Sequence, residues 1–179
     1  MPYLEKLESL KQPGIVSLFE YSPETAKPLS ELAEQIMRRS TLKQYVAELI
    51  AAYVSKENNC EFCYRSHVEA FKNATLDREL ANKLSTSLNA NTLLNDVDLW
   101  LKSLLMLAND VRLNVKASRQ SIDFCKHAGV RDEEIHDTVL ITSAFCMFNR
   151  YVNGLDTKPA TAEQYEFMGK KLANYGYLK

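Results

Sequence analysis

The chain has 179 residues and a net charge of −1, with 46% hydrophobic and 25% charged side chains. That is long enough for one domain with a sizeable core, and the near-neutral balance excludes the basic footprint of a nucleic-acid binder or of a protein held on an anionic membrane. No run approaches the ~20 apolar residues of a membrane span, and the opening Met1-Pro-Tyr-Leu-Glu-Lys has no signal-peptide layout, so a cytoplasmic protein is the expectation.

Five glycines and five prolines leave few breakers, and the apolar periodicity is helical almost throughout. Ser22-Pro23-Glu24 places an N-cap before a proline at the first helical position and opens a helix to about Arg38. Ser40 or Thr41 caps the next, whose stripe is Leu42, Tyr45, Val46, Leu49, Ile50 and Tyr53. Asn58-Asn59 interrupts it, because the Asn side chain competes with backbone hydrogen bonding. A third helix runs from about Cys60 to Asn73 and a fourth from Asp77 to Leu88. The fifth spans Asp96 to Val111 around Trp100. The sixth runs from Lys116 to His127 and is closed by Gly129. Asp132 caps a long helix through Ile135, Val139, Leu140, Ala144 and Phe148 to about Val152. After a turn over 154–159, Thr161-x-x-Gln164 reads as a capping box opening the last helix.

No segment alternates with period two. The expected fold is all-α, about eight helices in a single domain over 1–179, with a core over about 23–155 and a C-terminal helix over about 161–175. A weak internal repeat is visible at an offset of 54. Lys72, Ala74 and Glu79 fall on Lys126, Ala128 and Glu133. The second copy has Lys102, Asn114, Ala117 and Ser121 where the first has Glu48, Cys60, Cys63 and His67.

Those last four residues carry the chemistry. Cys60, Cys63 and His67 stand at i, i+3 and i+7, within roughly 60° of one helix face. The cysteines occupy a first turn, where unsatisfied N–H groups and the helix dipole favour a thiolate. Glu48 lies ten residues before the Asn58-Asn59 break and His67 eight after it. A helical hairpin would bring the two to about the same height, with Ala52 and Ser55 as small side chains on the Glu48 face. A carboxylate beside an imidazole fixes its tautomer and raises its basicity, so it can take a proton from a thiol. Two thiols, a base and an acid suit a dithiol that meets an oxidant and closes to a disulfide. A non-enzymatic redox sensor or scaffold fits the same residues. So does zinc on Cys60, Cys63 and His67, although no second C-x-x-C or H-x₃-H pair exists to complete the site. Cys125 and Cys146 read as buried small hydrophobes, and His127 and His136 as solvent-facing. No Gly-rich phosphate loop is present and no cofactor is implied.

The run Glu48-Leu-Ile-Ala-Ala-Tyr-Val-Ser, then Asn59-Cys60-x-x-Cys63-x-x-Ser66-His67, resembles the peroxidase-related branch of the carboxymuconolactone decarboxylase / alkylhydroperoxidase D (AhpD)-like superfamily. The likeness resumes at Gly129-Val-x-Asp-Glu-Glu-Ile135 and Phe148-Asn149-Arg150. It implies an all-α fold with a repeated helical core, homo-oligomers (often trimers or hexamers), and hydroperoxide reduction without haem or metal. It implies that Cys63 is the attacking, more buried thiol and Cys60 the resolving one, with His67 accepting the thiol proton and Glu48 completing the relay. It also implies re-reduction by an outside dithiol protein, lipoyl-bearing or of thioredoxin type. The alkylhydroperoxidase D pattern carries a further histidine just before the attacking cysteine; here that residue is Phe62. Decarboxylation of a lactone is the weakest reading, because no carboxylate clamp is paired with an acid.

Overall fold

A computed structural model describes residues 2–86, 97–114 and 116–178, with the side chains of 84–86 outside that description. Ten helices and no strand occur among the described residues. They are α1 (Glu5–Ser9), α2 (Gly14–Tyr21), α3 (Pro23–Arg38), α4 (Gln44–Glu57), α5 (Glu61–Ala74), α6 (Arg78–Thr86), α7 (Leu99–Leu113), α8 (Arg119–His127), α9 (Asp132–Gly154) and α10 (Ala162–Tyr175). No helix of the described residues is long and apolar enough to cross a membrane.

The eight expected helices are α3 to α10. Ser22 precedes Pro23 at the start of α3. Thr161 and Gln164 close a capping box at 3.3 and 2.8 Å, and Gly129 takes φ +80° just after α8. The expected end of the fourth helix at Leu88 and start of the fifth at Asp96 lie outside the described residues. Two caps differ. The N-cap of α4 is Lys43, because Thr41 is engaged elsewhere: its N–H and hydroxyl both donate to Asp137 Oδ2, at 2.6 and 2.7 Å. Asp132 is the first residue of α9 rather than its cap. Arg131 holds the cap position and donates its N–H to Glu134 Oε2 at 2.9 Å.

The two helices that the sequence reading lacks are α1 and α2. The first has five residues. The second begins at a glycine with φ +54° straight after Pro13, two residues that normally signal a turn. They cover the site from one side with Leu7 and Leu18, both buried.

Helix α4 is the centre of the molecule. Its residues from Val46 to Ser55 are all buried, as expected of a helix with neighbours on every side. It packs against α5, α7 and α9 within the larger hydrophobic cluster. Helix α5 is clasped on its other face by α10. Gly169 makes that approach possible, since a Cβ there would stand 2.6 Å from the carbonyl carbon of Glu69 and 2.8 Å from the nitrogen of Ala70. A smaller cluster gathers Leu7, Leu18, Cys60, Phe62, Cys63, Val152 and Tyr165.

The repeat is visible in the element order. Adding 54 to the bounds of α4 gives 98–111, close to α7, and adding it to α5 gives 115–128, around α8. The start of α6 at residue 78 falls on residue 132, the start of α9.

Candidate dithiol site

The site is built on the joint between α4 and α5. Asn58 caps α4, and Asn59 takes φ +54°, a left-handed conformation that asparagine tolerates better than most residues. The Cys60 N–H then returns to the Ser55 carbonyl at 2.9 Å. Cys60 becomes the N-cap of α5 and Cys63 falls in its first turn.

Both cysteines are enclosed: Cys60 is 0% exposed and Cys63 4%. The two thiols act on each other. A hydrogen bond from the Cys63 side chain lowers the Cys60 thiol below its ordinary value, against the effect of burial and with help from the Cys63 N–H and the Asn149 side chain. The same bond, followed by burial and the charge on Cys60, pushes Cys63 well up. Of the two thiols Cys60 is therefore the one that gives up its proton first, with Cys63 as its S–H donor.

Asn149, from α9, is 1% exposed and joins these groups. Asn58 Nδ2 donates to its Oδ1 at 2.9 Å, and its own Nδ2 donates to Ser55 Oγ at 2.9 Å. Its amide also reaches both sulfurs. Cys146, one turn earlier on α9, is half-buried rather than buried, and its Sγ lies 3.6 Å from Asn58 Nδ2. Cys125 is buried, with its thiol 3.4 Å from the Ser103 carbonyl oxygen. His127 and His136 are exposed.

Glu48 and His67 meet across the hairpin, where His67 Nδ1 lies 2.7 Å from Glu48 Oε2. Glu48 is fully buried and His67 is 6% exposed. The Tyr177 hydroxyl donates to the other carboxylate oxygen, Oε1, at 2.9 Å. A carboxylate accepts, so Nδ1 carries the hydrogen and Nε2 keeps its lone pair. Phe145 meets the imidazole edge-on at 4.6 Å between ring centroids. Cys63 lies one turn before His67 on α5, a spacing of about 5–6 Å between Cβ atoms.

Phe62, which stands where the resembled pattern has a histidine, points into the smaller cluster. Its ring lies 5.9 Å from that of Tyr165 and fills the space against Gly14, where any Cβ would overlap it. Among the described residues no group of three or more His, Cys, Asp or Glu is arranged to hold a metal ion. An open cleft of about 650 Å³ beside Lys43, Thr75, Asp77 and Leu101 includes none of the four predicted site residues.

Sequence spacing brought Glu48 to His67 and Cys60 to Cys63. It did not assign Asn149 or Tyr177 to the site. Asn149 stood in a stretch that resembles the family, but neither residue has a spacing relation to the dithiol.

Residues 23–87 match the model of the Carboxymuconolactone decarboxylase family, a span that contains Glu48, Cys60, Cys63 and His67. Over that span the chain is similar to this family. Its fold is that of AhpD-like proteins. An uncharacterized peroxidase-related protein from Silicibacter sp. TM1040 superposes with a TM-score of 0.74 at 22% identity, covering 86% of this chain and 78% of that one. An AhpD-core, uncharacterized peroxidase-related protein from Ralstonia eutropha JMP134 gives 0.74 at 19% identity, over 88% and 81%. A protein of unknown function from Agrobacterium tumefaciens gives 0.67 at 20% identity, over 80% and 96%. At these identities the likeness to all three is one of fold. No curated protein matches the sequence.

Proposed function

We propose that this AhpD-like chain is a thiol-dependent peroxidase. It reduces alkyl hydroperoxides or hydrogen peroxide by cycling Cys60 and Cys63 between dithiol and disulfide. The observation that carries this reading is the enclosed thiol pair, which shares hydrogen bonds with Asn149 and stands one turn from an imidazole whose tautomer is set by Glu48.

Cys63 is the attacking sulfur. Its thiol holds its proton tightly, so it needs a base, and His67 Nε2 with Glu48 behind it supplies one. The thiolate attacks one peroxide oxygen, and the O–O bond breaks. The leaving alkoxide takes a proton to become an alcohol, and Cys63 becomes a sulfenic acid. Cys60 then displaces water from that sulfur and the disulfide forms. The sum is two thiols and one hydroperoxide giving a disulfide, an alcohol and water. An outside dithiol protein, lipoyl-bearing or of thioredoxin type, returns the pair by thiol–disulfide exchange. The lowered Cys60 thiol favours a second assignment, with Cys60 attacking and Cys63 resolving. Exposed Leu99, Met106 and Leu113 at seven-residue spacing on α7, with Leu140 and Met147 on α9, support self-association into a trimer or hexamer. A cytoplasmic setting, where dithiol donors are abundant, completes the proposal.

The test is a thiol count by mass spectrometry before and after one equivalent of cumene hydroperoxide. Two thiols should disappear as a Cys60–Cys63 disulfide, and a small dithiol should restore them with repeated turnover. Cys63→Ser should abolish peroxide consumption, and Cys60→Ser should leave a trappable sulfenic acid on Cys63. The opposite pattern would exchange the two roles. A disulfide without turnover would point to a redox sensor, and thiols still open to alkylation would remove the peroxidase reading.

A further inference from the structure

We propose that Tyr177, on the segment that follows α10, is a positioning residue of the dithiol site: its hydroxyl and ring hold the Glu48–His67 pair in the proton-accepting state. The role in catalysis rests on the peroxidase reading; the control of the pair does not.

The segment is docked by named contacts. Helix α10 ends at Tyr175, and its last carbonyls are held from α3 and α4. Arg38 donates to the Leu172 and Ala173 oxygens at 3.3 and 3.1 Å, and Gln44 to the same two at 3.4 and 3.0 Å. Gly176 then turns the chain at φ +81°, buried so closely that a Cβ would stand 2.8 Å from Arg38 Cδ and overlap the Glu34 carboxylate. The Tyr177 N–H donates to Glu34 Oε2 at 2.9 Å. From that anchor the side chain reaches inward, donates to Glu48 Oε1 at 2.9 Å and lays its ring parallel to the imidazole, 6.3 Å between centroids and 14° between planes.

The carboxylate is thus held at both oxygens, by phenol on one side and imidazole on the other. Charged groups face the phenol from three elements: Glu34 and Arg38 of α3, Glu48 of α4, and His67 of α5 when protonated. Burial, then Glu48, pushes the Tyr177 hydroxyl well above its ordinary value, so it stays a donor wherever the protein is folded and active. Its effect has a definite sign. With Glu48 ionised and His67 neutral the pair carries −1, and one added proton makes it neutral. The phenol stabilises the −1 state more, because a hydrogen bond to a charged acceptor is the stronger kind. Without the phenol the pair fills with its proton at higher pH, and a filled pair cannot take one from a thiol.

The experiment uses the full chain with Tyr177→Phe, which keeps the ring, and Tyr175→Phe as control, since Tyr175, at the end of α10, is 78% exposed. Two readouts are compared. One is the NMR titration of the imidazoles, where the chain has three histidines and His67→Asn assigns the signal. The other is the pH profile of disulfide formation with cumene hydroperoxide. In Tyr177→Phe the His67 titration and the acidic limb of the profile should both move to higher pH, with a loss on the order of tenfold in rate at the acidic end; Tyr175→Phe should move neither. An unmoved His67 titration in Tyr177→Phe would overturn the proposal whatever the activity. A moved titration in a parent protein that consumes no peroxide would overturn the peroxidase reading and leave the control of the pair by Tyr177 standing.

Discussion

Asn149 ties three helices together with one amide. It accepts from Asn58 at the end of α4, donates to Ser55 one turn earlier, and reaches the two sulfurs at the start of α5. An amide with every polar atom engaged inside a protein is held in one orientation, so its remaining N–H is a fixed donor to a thiolate. Asn149→Ala should raise the pH at which Cys60 reacts with iodoacetamide, because the donor that lowers its thiol is gone. The same change leaves Ser55 and Asn58 without their partner and should cost about 1–3 kcal/mol of stability. An unchanged alkylation midpoint would show that the amide does not act on the sulfurs. At this scale the residues near in sequence were legible. Glu48 and His67 are nineteen apart across one turn, and helical rise alone sets them level. Asn149 and Tyr177 lie more than ninety residues from their partners Asn58, Ser55 and Glu48. Helical spacing has no purchase over such a distance. Phe62 differs from the pattern that the sequence resembles, and its place is understood only from Gly14 and Tyr165, which come from α2 and α10.

At the level of elements, α10 crosses close over α5 at Gly169. The obstruction to a larger residue there is the backbone of Glu69 and Ala70, which cannot rotate away as a side chain would. Gly169→Ala should cost at least ~1–3 kcal/mol and lower the melting temperature by roughly 3–10 °C. A melting point within a degree of the parent would mean that the helices separate without penalty. Helices α3 to α10 were legible because each carries a full apolar stripe and most carry a recognisable start or stop. The missing pair fails those tests for physical reasons. Helix α1 has too few turns to show a period, and α2 begins on Pro13-Gly14, whose left-handed glycine serves a contact with Phe62 rather than a turn. Thr41 has the chemistry of a cap, but Asp137 of α9 takes both of its donors.

Across the whole molecule, the two halves of the repeat share a layout and differ in what sits at the joint. The first joint has Cys60 and His67. The second has Asn114 and Ser121, which together with Ser118 surround the Asp110 carboxylate at 2.6 to 2.8 Å. The Ser118 N–H, then the Ser121 hydroxyl, hold that carboxyl down to about 2 from its ordinary 3.8, against a smaller effect of burial. A group lowered on folding stabilises the fold in full above its unfolded value, and that contribution fades as pH falls from near 3.8 through 2. Asp110→Asn should therefore lower stability at neutral pH, and acid titrations of the two proteins should converge near pH 2; parallel curves across that window would remove Asp110 from the account. The repeat was legible as an offset in the sequence. Its division of labour was not, because Asp110 falls on Lys56 at that offset and only the folded joint reveals what it holds.

The enclosure of the sulfurs divides the proposed cycle by the size of the visitor. A hydroperoxide brings a reactive end two atoms long to a group with 4% of its surface open. A protein dithiol must bring its own sulfur within about 2 Å of the same atoms to form a mixed disulfide, and Leu7, Leu18, Val152 and Tyr165 stand around them. Oxidation can run in the closed fold at the pace of bond chemistry. Recharging by a protein dithiol would wait for the wall around α5 to part, at the rhythm of local breathing.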